Sequence, residues 1–113
     1  MVLLGIDIRE LKKHSSKVRK GIESLPTKAL ELFELLLDEL EKHGPIAKGF
    51  LNFERLSRLK NINVSKSQKI YHCHLTKDHA WVCVWISKVD KQGRQRIISM
   101  EVVYVGEHKS APY

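Results

Sequence analysis

The run Tyr71-His72-Cys73-His74-Leu75 constrains this chain more than any other. It alternates apolar or soft side chains with imidazoles, and a period of two belongs to a β-strand, whose successive side chains point to opposite faces. Tyr71, Cys73 and Leu75 then share a face that reads as core. His72 and His74 share the other, which reads as open to solvent. Two neighbouring imidazoles suit a surface that moves protons near neutral pH. The formal charge of +7 adds a field that draws polyanions.

That charge is unevenly placed. Residues 1–41 carry seven Lys or Arg against eight Asp or Glu, whereas residues 42–113 carry thirteen against five, so the basic excess accompanies the histidine strand. At 113 residues the chain is expected to be a single domain over 1–113, with one modest core and no need of a metal or disulfide staple. Its apolar runs fall short of the ~20 residues that span a bilayer, and residues 1–8 lack the basic and small-residue flanks of a signal peptide. A cytoplasmic protein with no membrane partner is expected. Cys73 and Cys83 fall within apolar strand patterns, which favours buried thiols over a disulfide framework.

Residues 2–9 are aliphatic enough for a first strand. Ser15 or Ser16 can cap a short basic helix in which Val18, Ile22 and Leu25 keep one face apolar. A clearer second helix opens near Pro26, carries Ala29, Leu32, Phe33, Leu36, Leu37 and Leu40 in a broad stripe, and ends at Gly44-Pro45 after roughly 16 residues. The Gly and Asn content of residues 45–68 predicts an irregular basic loop. Three strands are then predicted over 69–75, 80–89 and 96–106, joined by turns at 76–79 and 90–94. The fold class is α+β, with two N-terminal helices packed on one face of an antiparallel sheet.

A symmetric first turn pairs residues whose numbers sum to 156, so Tyr71 opposes Trp85, Cys73 opposes Cys83 and Leu75 opposes Trp81. For the second hairpin, a sum of 185 puts Ile98, Met100, Val102 and Tyr104 on the same core face. Ser99, Glu101 and Val103 then join His72, His74, Val82 and Val84 on the other. A slip of one residue would invert every side chain of that strand.

Gly106 can release the last strand into a turn, and Pro112 stiffens the final residues, so that His108 and Tyr113 fold back beside the sheet. The candidate catalytic group is therefore His72, His74, His108 and Tyr113, with Glu101 orienting an imidazole. Around it Lys48, Arg55, Arg58, Lys60, Lys69, Lys77 and Lys109 form a rim suited to an RNA backbone. Imidazoles can take a proton from a ribose 2′-OH and give one to a leaving 5′-oxygen, while cations stabilise the charge added at phosphorus. That chemistry needs no metal or organic cofactor, and none is expected. A His-x-His pair with a third His is also a zinc pattern, but no convincing acidic fourth ligand accompanies it and a basic field opposes a dication. His14, His43 and His79 read as surface or structural residues. Trp81, Trp85 and Tyr104 could stack on bases but read as core.

These residues resemble a known family. Two helices before a meander, Ser24-Leu25-Pro26 between the helices, Gly44-Pro45 after the second, the Tyr71 to Leu75 run, and the ending Tyr104-Val105-Gly106-Glu107-His108-Lys109-Ser110-Ala111-Pro112-Tyr113 are similar to the RelE-type toxins of bacterial toxin-antitoxin modules. The resemblance covers most of the chain from about Ser15. It implies a microbial-ribonuclease-like sheet and an endoribonuclease that cleaves mRNA in the ribosomal A site without metal, silenced by a cognate antitoxin. It also implies that His108 matches the catalytic histidine, and His74 the strand histidine, of the family's histidine-using branch. His72 and His74 occupy positions that are often lysine in the lysine-and-arginine branch, whose C-terminal tyrosine Tyr113 roughly matches. Where that branch carries transition-state arginines this chain has Val82 and His108, so phosphate stabilisation falls to Lys109, Lys77 or the Arg55, Arg58 and Lys60 loop. A noncatalytic RNA-binding or antitoxin-bound module of the same fold is the alternative.

Overall fold

A computed structural model of the chain describes residues 16–60, 63–89 and 97–113; the predicted strand at 2–9 and the turn at 90–94 lie outside them. Two helices come first, Ser16–Ser24 (α1) and Thr27–His43 (α2). Pro26 stands between them at φ −59, where its missing N–H and fixed φ suit the entry to a helix. Gly44, at φ 89, closes α2 by returning its N–H to the Leu40 carbonyl, a left-handed position that glycine adopts without a Cβ penalty. Four strands follow, Leu51–Leu56 (β1), Gln68–His74 (β2), Trp81–Val89 (β3) and Ile97–Glu107 (β4), and then a 3-10 turn, His108–Ser110 (η1). The strands form one antiparallel sheet in the order β1-β2-β3-β4. The chain is thus α+β, its helices preceding the sheet in sequence.

β1 corrects the irregular loop expected over 45–68. Leu51 pairs with His74 and Glu54 with His72, so the register shifts between them, with Asn52 at φ 51. Such a bulge absorbs one residue and breaks the period-two signal by which a strand is recognised. It turns Phe53 inward, where its ring stacks on Tyr71 at 5.7 Å and on Trp85 at 5.9 Å.

The β2–β3 register is the symmetric one, with Tyr71 opposite Trp85 and Cys73 opposite Cys83, and the Leu75 N–H donates to the Trp81 carbonyl at 2.7 Å. The β3–β4 register is not the one expected. Trp85 pairs with Val102 and Ser87 with Met100, whereas Val84 pairs with Tyr104 and Trp81 with Glu107. Val103 is the extra residue of a second bulge. Met100 and Val102 therefore reach the core as expected, but Tyr104 is carried to the histidine face and Val105 fills the core instead. The side chains of Ile98 and Ser99 lie outside the described ones.

One buried cluster joins Val18, Leu25, Ala29, Phe33, Leu36 and Leu40 of the helical segment to Tyr71, Cys73, Leu75, Cys83, Trp85, Met100, Val102 and Val105 of the sheet. Trp85 satisfies its indole N–H on the Pro45 carbonyl at 3.1 Å. α1 comes so close to β4 that a Cβ on Gly21 would stand 2.0 Å from the Val105 carbonyl oxygen. The opposite face holds a smaller cluster of Leu59, Ile70, Val84 and Ile86, with Leu56, Val64, Tyr104 and Tyr113 against it. That face is consequently not open. His72 is 3% and His74 7% exposed, because residues after β1 and the tail after β4 fold over them.

Candidate functional site

Strand alternation sets His72 and His74 side by side, their ring centroids 5.8 Å apart. Glu54 lies directly across from His72. Its carbonyl, 3.4 Å away, can only accept, so it takes the His72 Nδ1–H. Its carboxylate stands 3.8 Å from His72 Nε2. Glu101 was the expected orienting carboxylate, but it sits exposed on β4 opposite Ile86, and no hydrogen bond or ion pair joins it to an imidazole among the described residues. The register of β4 puts it farther along the sheet, and Glu54 takes its place through the strand that the sequence hid.

The β2–β3 turn is built around Asp78, whose carboxylate accepts from the Thr76 hydroxyl and, at 3.0 Å, from the Ala80 N–H. The His79 N–H closes the turn on the Thr76 carbonyl at 3.0 Å, and His79 itself sits at φ 61. This brings His79 Nδ1 to 2.7 Å from His74 Nδ1, with the Asn52 Nδ2 3.3 Å from His79 Nδ1. His79, read from the sequence as a surface residue, thus belongs to the cluster. Its signal was positional: a histidine closing a four-residue turn, after an Asp that can pin that turn, returns to the end of the strand that carries His74.

The tail is anchored at three points. Tyr104 lays its ring across Gly106, where a Cβ would come within 2.9 Å of the hydroxyl, and donates to the Glu107 carbonyl at 2.7 Å. The His108 N–H bonds the Ala80 carbonyl at 2.8 Å, and the Lys60 N–H bonds the Pro112 carbonyl at 2.6 Å. His108 then lies 5.0 Å from His74 between centroids. Tyr113 lies 4.7 Å from His72 and 6.0 Å from His108. His74 is the hub, in ring contact with three other imidazoles.

Burial sets the protonation of the inner groups. It lowers the His72 pKa, against an opposing pull from the Glu54 carbonyl and charge. It lowers that of His74 too, and the neighbouring His108, His79 and His72 push the same way. Both rings are therefore neutral at pH 7. Burial raises the Tyr113 phenol to about 12, so it can act only as a protonated hydroxyl, and that hydroxyl is buried without a partner among the described residues. Burial likewise pushes the Cys73 thiol up to about 12 and raises that of Cys83 well above its ordinary value, which leaves neither as a nucleophile.

The expected cationic rim divides. Arg58 and Lys60 line a cleft of about 350 Å³ with Tyr113, Lys77 borders His74, and Lys109, next to His108, pairs with Glu107 at 3.2 Å. Arg55 and Lys69 line a separate cleft of about 410 Å³ together with Lys66. Lys48 is exposed and lines none of these. Among the described residues no three His, Cys, Asp or Glu side chains are arranged to hold a metal ion, and no described helix is long and apolar enough to cross a membrane. No family model, curated protein or solved structure matches the chain significantly.

Proposed function

We propose that this chain is a toxin-type endoribonuclease that cleaves mRNA by driving a ribose 2′-OH onto the adjacent phosphate, leaving a 2′,3′-cyclic phosphate and a 5′-hydroxyl. The observation that carries the reading is the convergence of His72 and His74 from β2 with His108 and Tyr113 from the tail, each ring within about 6 Å of two of the others, with Tyr113 beside Arg58 and Lys60. The resemblance to RelE-type toxins, carried by the same strand and tail, points the same way. His74, neutral and central, is the base that takes the 2′-OH proton. His108, exposed, is the acid that protonates the leaving 5′-oxygen. The Tyr113 hydroxyl is a donor to the phosphate, and Arg58, Lys60, Lys77 and Lys109 offset the charge that builds on it. On this reading the partners are mRNA, the ribosome and a cognate antitoxin with acidic side chains facing the basic surface, and the setting is the cytoplasm.

A second reading, an RNA-binding or antitoxin-bound module without catalysis, is favoured by Val82, fully buried opposite His74 where the resemblance leads one to seek an arginine. One experiment separates the two. The purified chain is incubated in EDTA with RNA, free or on translating ribosomes, and products are assayed for cyclic phosphate. Cleavage that His108→Ala lowers by about 10²–10⁴-fold, with the circular dichroism unchanged, supports the enzyme. RNA retention with no cyclic product from either substrate favours the module.

A further inference from the structure

The contact between His74 and His79 is made nitrogen to nitrogen, Nδ1 to Nδ1 at 2.7 Å. At that separation one proton lies between the rings. With two the N–H groups collide, and with none two lone pairs face each other. Asn52 decides which ring carries it. The amide nitrogen, 3.3 Å from His79 Nδ1, can only donate, so it favours an unprotonated His79 Nδ1, whose single lone pair is then shared between the long Asn52 contact and the short one from His74, and the proton belongs to His74. We infer that His79 is a positioning residue that locks His74 as its Nδ1–H tautomer and leaves His74 Nε2 unprotonated.

The backbone supports this assignment. Asn52 at φ 51 and His79 at φ 61 are the non-glycine residues with positive φ among those described, and they touch each other. A bulge in β1 holds the first and the Asp78 turn holds the second. Left-handed backbone away from glycine costs free energy and recurs where a side chain must be aimed. His79 is exposed and adds little to either core, so its strained backbone serves the placement of the ring. A histidine tautomer is set by the bond its other nitrogen makes. In water an unconstrained imidazole protonates Nε2 more readily than Nδ1, so without His79 the accepting nitrogen would be lost. The charged and titratable groups around His74 are His72 on β2, Glu54 on β1, His108 after β4 and His79 in the turn, with Lys28 of α2 and Lys77 of the turn lining the same cavity.

The catalytic meaning of the lock rests on the nuclease reading, but its existence does not. Long-range ¹H–¹⁵N correlation spectra of histidine-labelled protein at pH 7.5 report each tautomer directly. The expected spectrum has His74 Nδ1 protonated and Nε2 bare, with His79 the reverse. His79→Gly keeps a backbone that tolerates positive φ and removes the acceptor, whereas His79→Asn keeps both the backbone and an acceptor oxygen. The glycine variant should move His74 toward Nε2–H and lower cleavage by about tenfold or more; the asparagine variant should restore both. A wild-type spectrum with His74 Nε2 protonated, or a His74 signal unmoved in His79→Gly, overturns the inference whether or not RNA is cut. If the wild-type chain cuts no RNA, the spectra alone decide.

Discussion

The two faces of β2 are built from neighbouring residues and differ in kind. On one, Tyr71, Cys73 and Leu75 join helix side chains in an apolar cluster. On the other, His72 and His74 are nearly as buried, yet what covers them is a loop, a tail, two more imidazoles and a phenol. Apolar burial stabilises in proportion to area and needs no particular partner, whereas a buried ring nitrogen must find one specific atom. The cysteine face therefore makes the fold and the histidine face spends part of that stability on placing groups.

The largest effect that can break this contrast is Trp85→Ala. Its ring is fully buried, stacks with Tyr71 and Phe53, and holds the Pro45 carbonyl, so its loss should cost about 3–5 kcal/mol in urea unfolding. A cost below about 1 kcal/mol, typical of a surface site, would mean that the cysteine face is not the core. Next comes Gly21→Ala. The added methyl must displace α1 from the Val105 carbonyl, at about 1–3 kcal/mol, while RNA cleavage below the melting temperature stays at the wild-type rate because the histidine face is untouched.

The elements that could be read from the residues alone were those with unbroken periods. The leucine stripe of α2 and the alternation of β2 against β3 through a four-residue turn needed no knowledge of the rest of the chain. β1 and the far half of β4 were hidden by one device, a bulge at Asn52 and another at Val103, each of which shifts the phase of a period-two pattern. The same bulges hid parts of the site. Glu54 and Asn52 ride on the unrecognised strand, and Glu101 was placed by a register that β4 does not keep. His72, His74 and His108 were legible because strand phase and a Gly-containing ending point to them directly. His79 was not, since nothing local reveals which ring a turn histidine will meet.

A smaller effect sharpens the contrast through pH. Both inner histidines titrate lower in the folded chain than the ~6.5 of an unfolded one. The unfolded chain therefore binds more protons as the pH drops, and stability rises with pH across that window. The contribution is complete above about pH 6.5 and is lost as the pH falls through the lowered values. Urea midpoints measured from pH 8 to 5 should decline in the wild type and decline less in His74→Gln. An equal decline in both would place the acid sensitivity outside the histidine face.

The smallest effect on stability is also the most discriminating, because each face buries one hydroxyl that has no partner among the described residues. Ser87 Oγ, opposite Met100, lies on the cysteine face and Tyr113 Oη on the histidine face. Removing an unsatisfied buried hydroxyl relieves its desolvation cost, so Ser87→Ala and Tyr113→Phe should each change stability by less than about 1 kcal/mol, in the favourable direction. Thermodynamics alone cannot tell the two apart; chemistry can. A phenol kept protonated by its surroundings, 4.7 Å from His72 between centroids and on the lining of the cleft of Arg58 and Lys60, is a donor that a phosphate oxygen in that cleft would reach once the buried hydroxyl is uncovered. Tyr113→Phe should therefore lower the cleavage rate, by about 10-fold or more for a lost transition-state donor, and Ser87→Ala should leave it unchanged. Equal rates in the two variants would reduce the tyrosine to a lid and return the donor's role to Arg58 and Lys60.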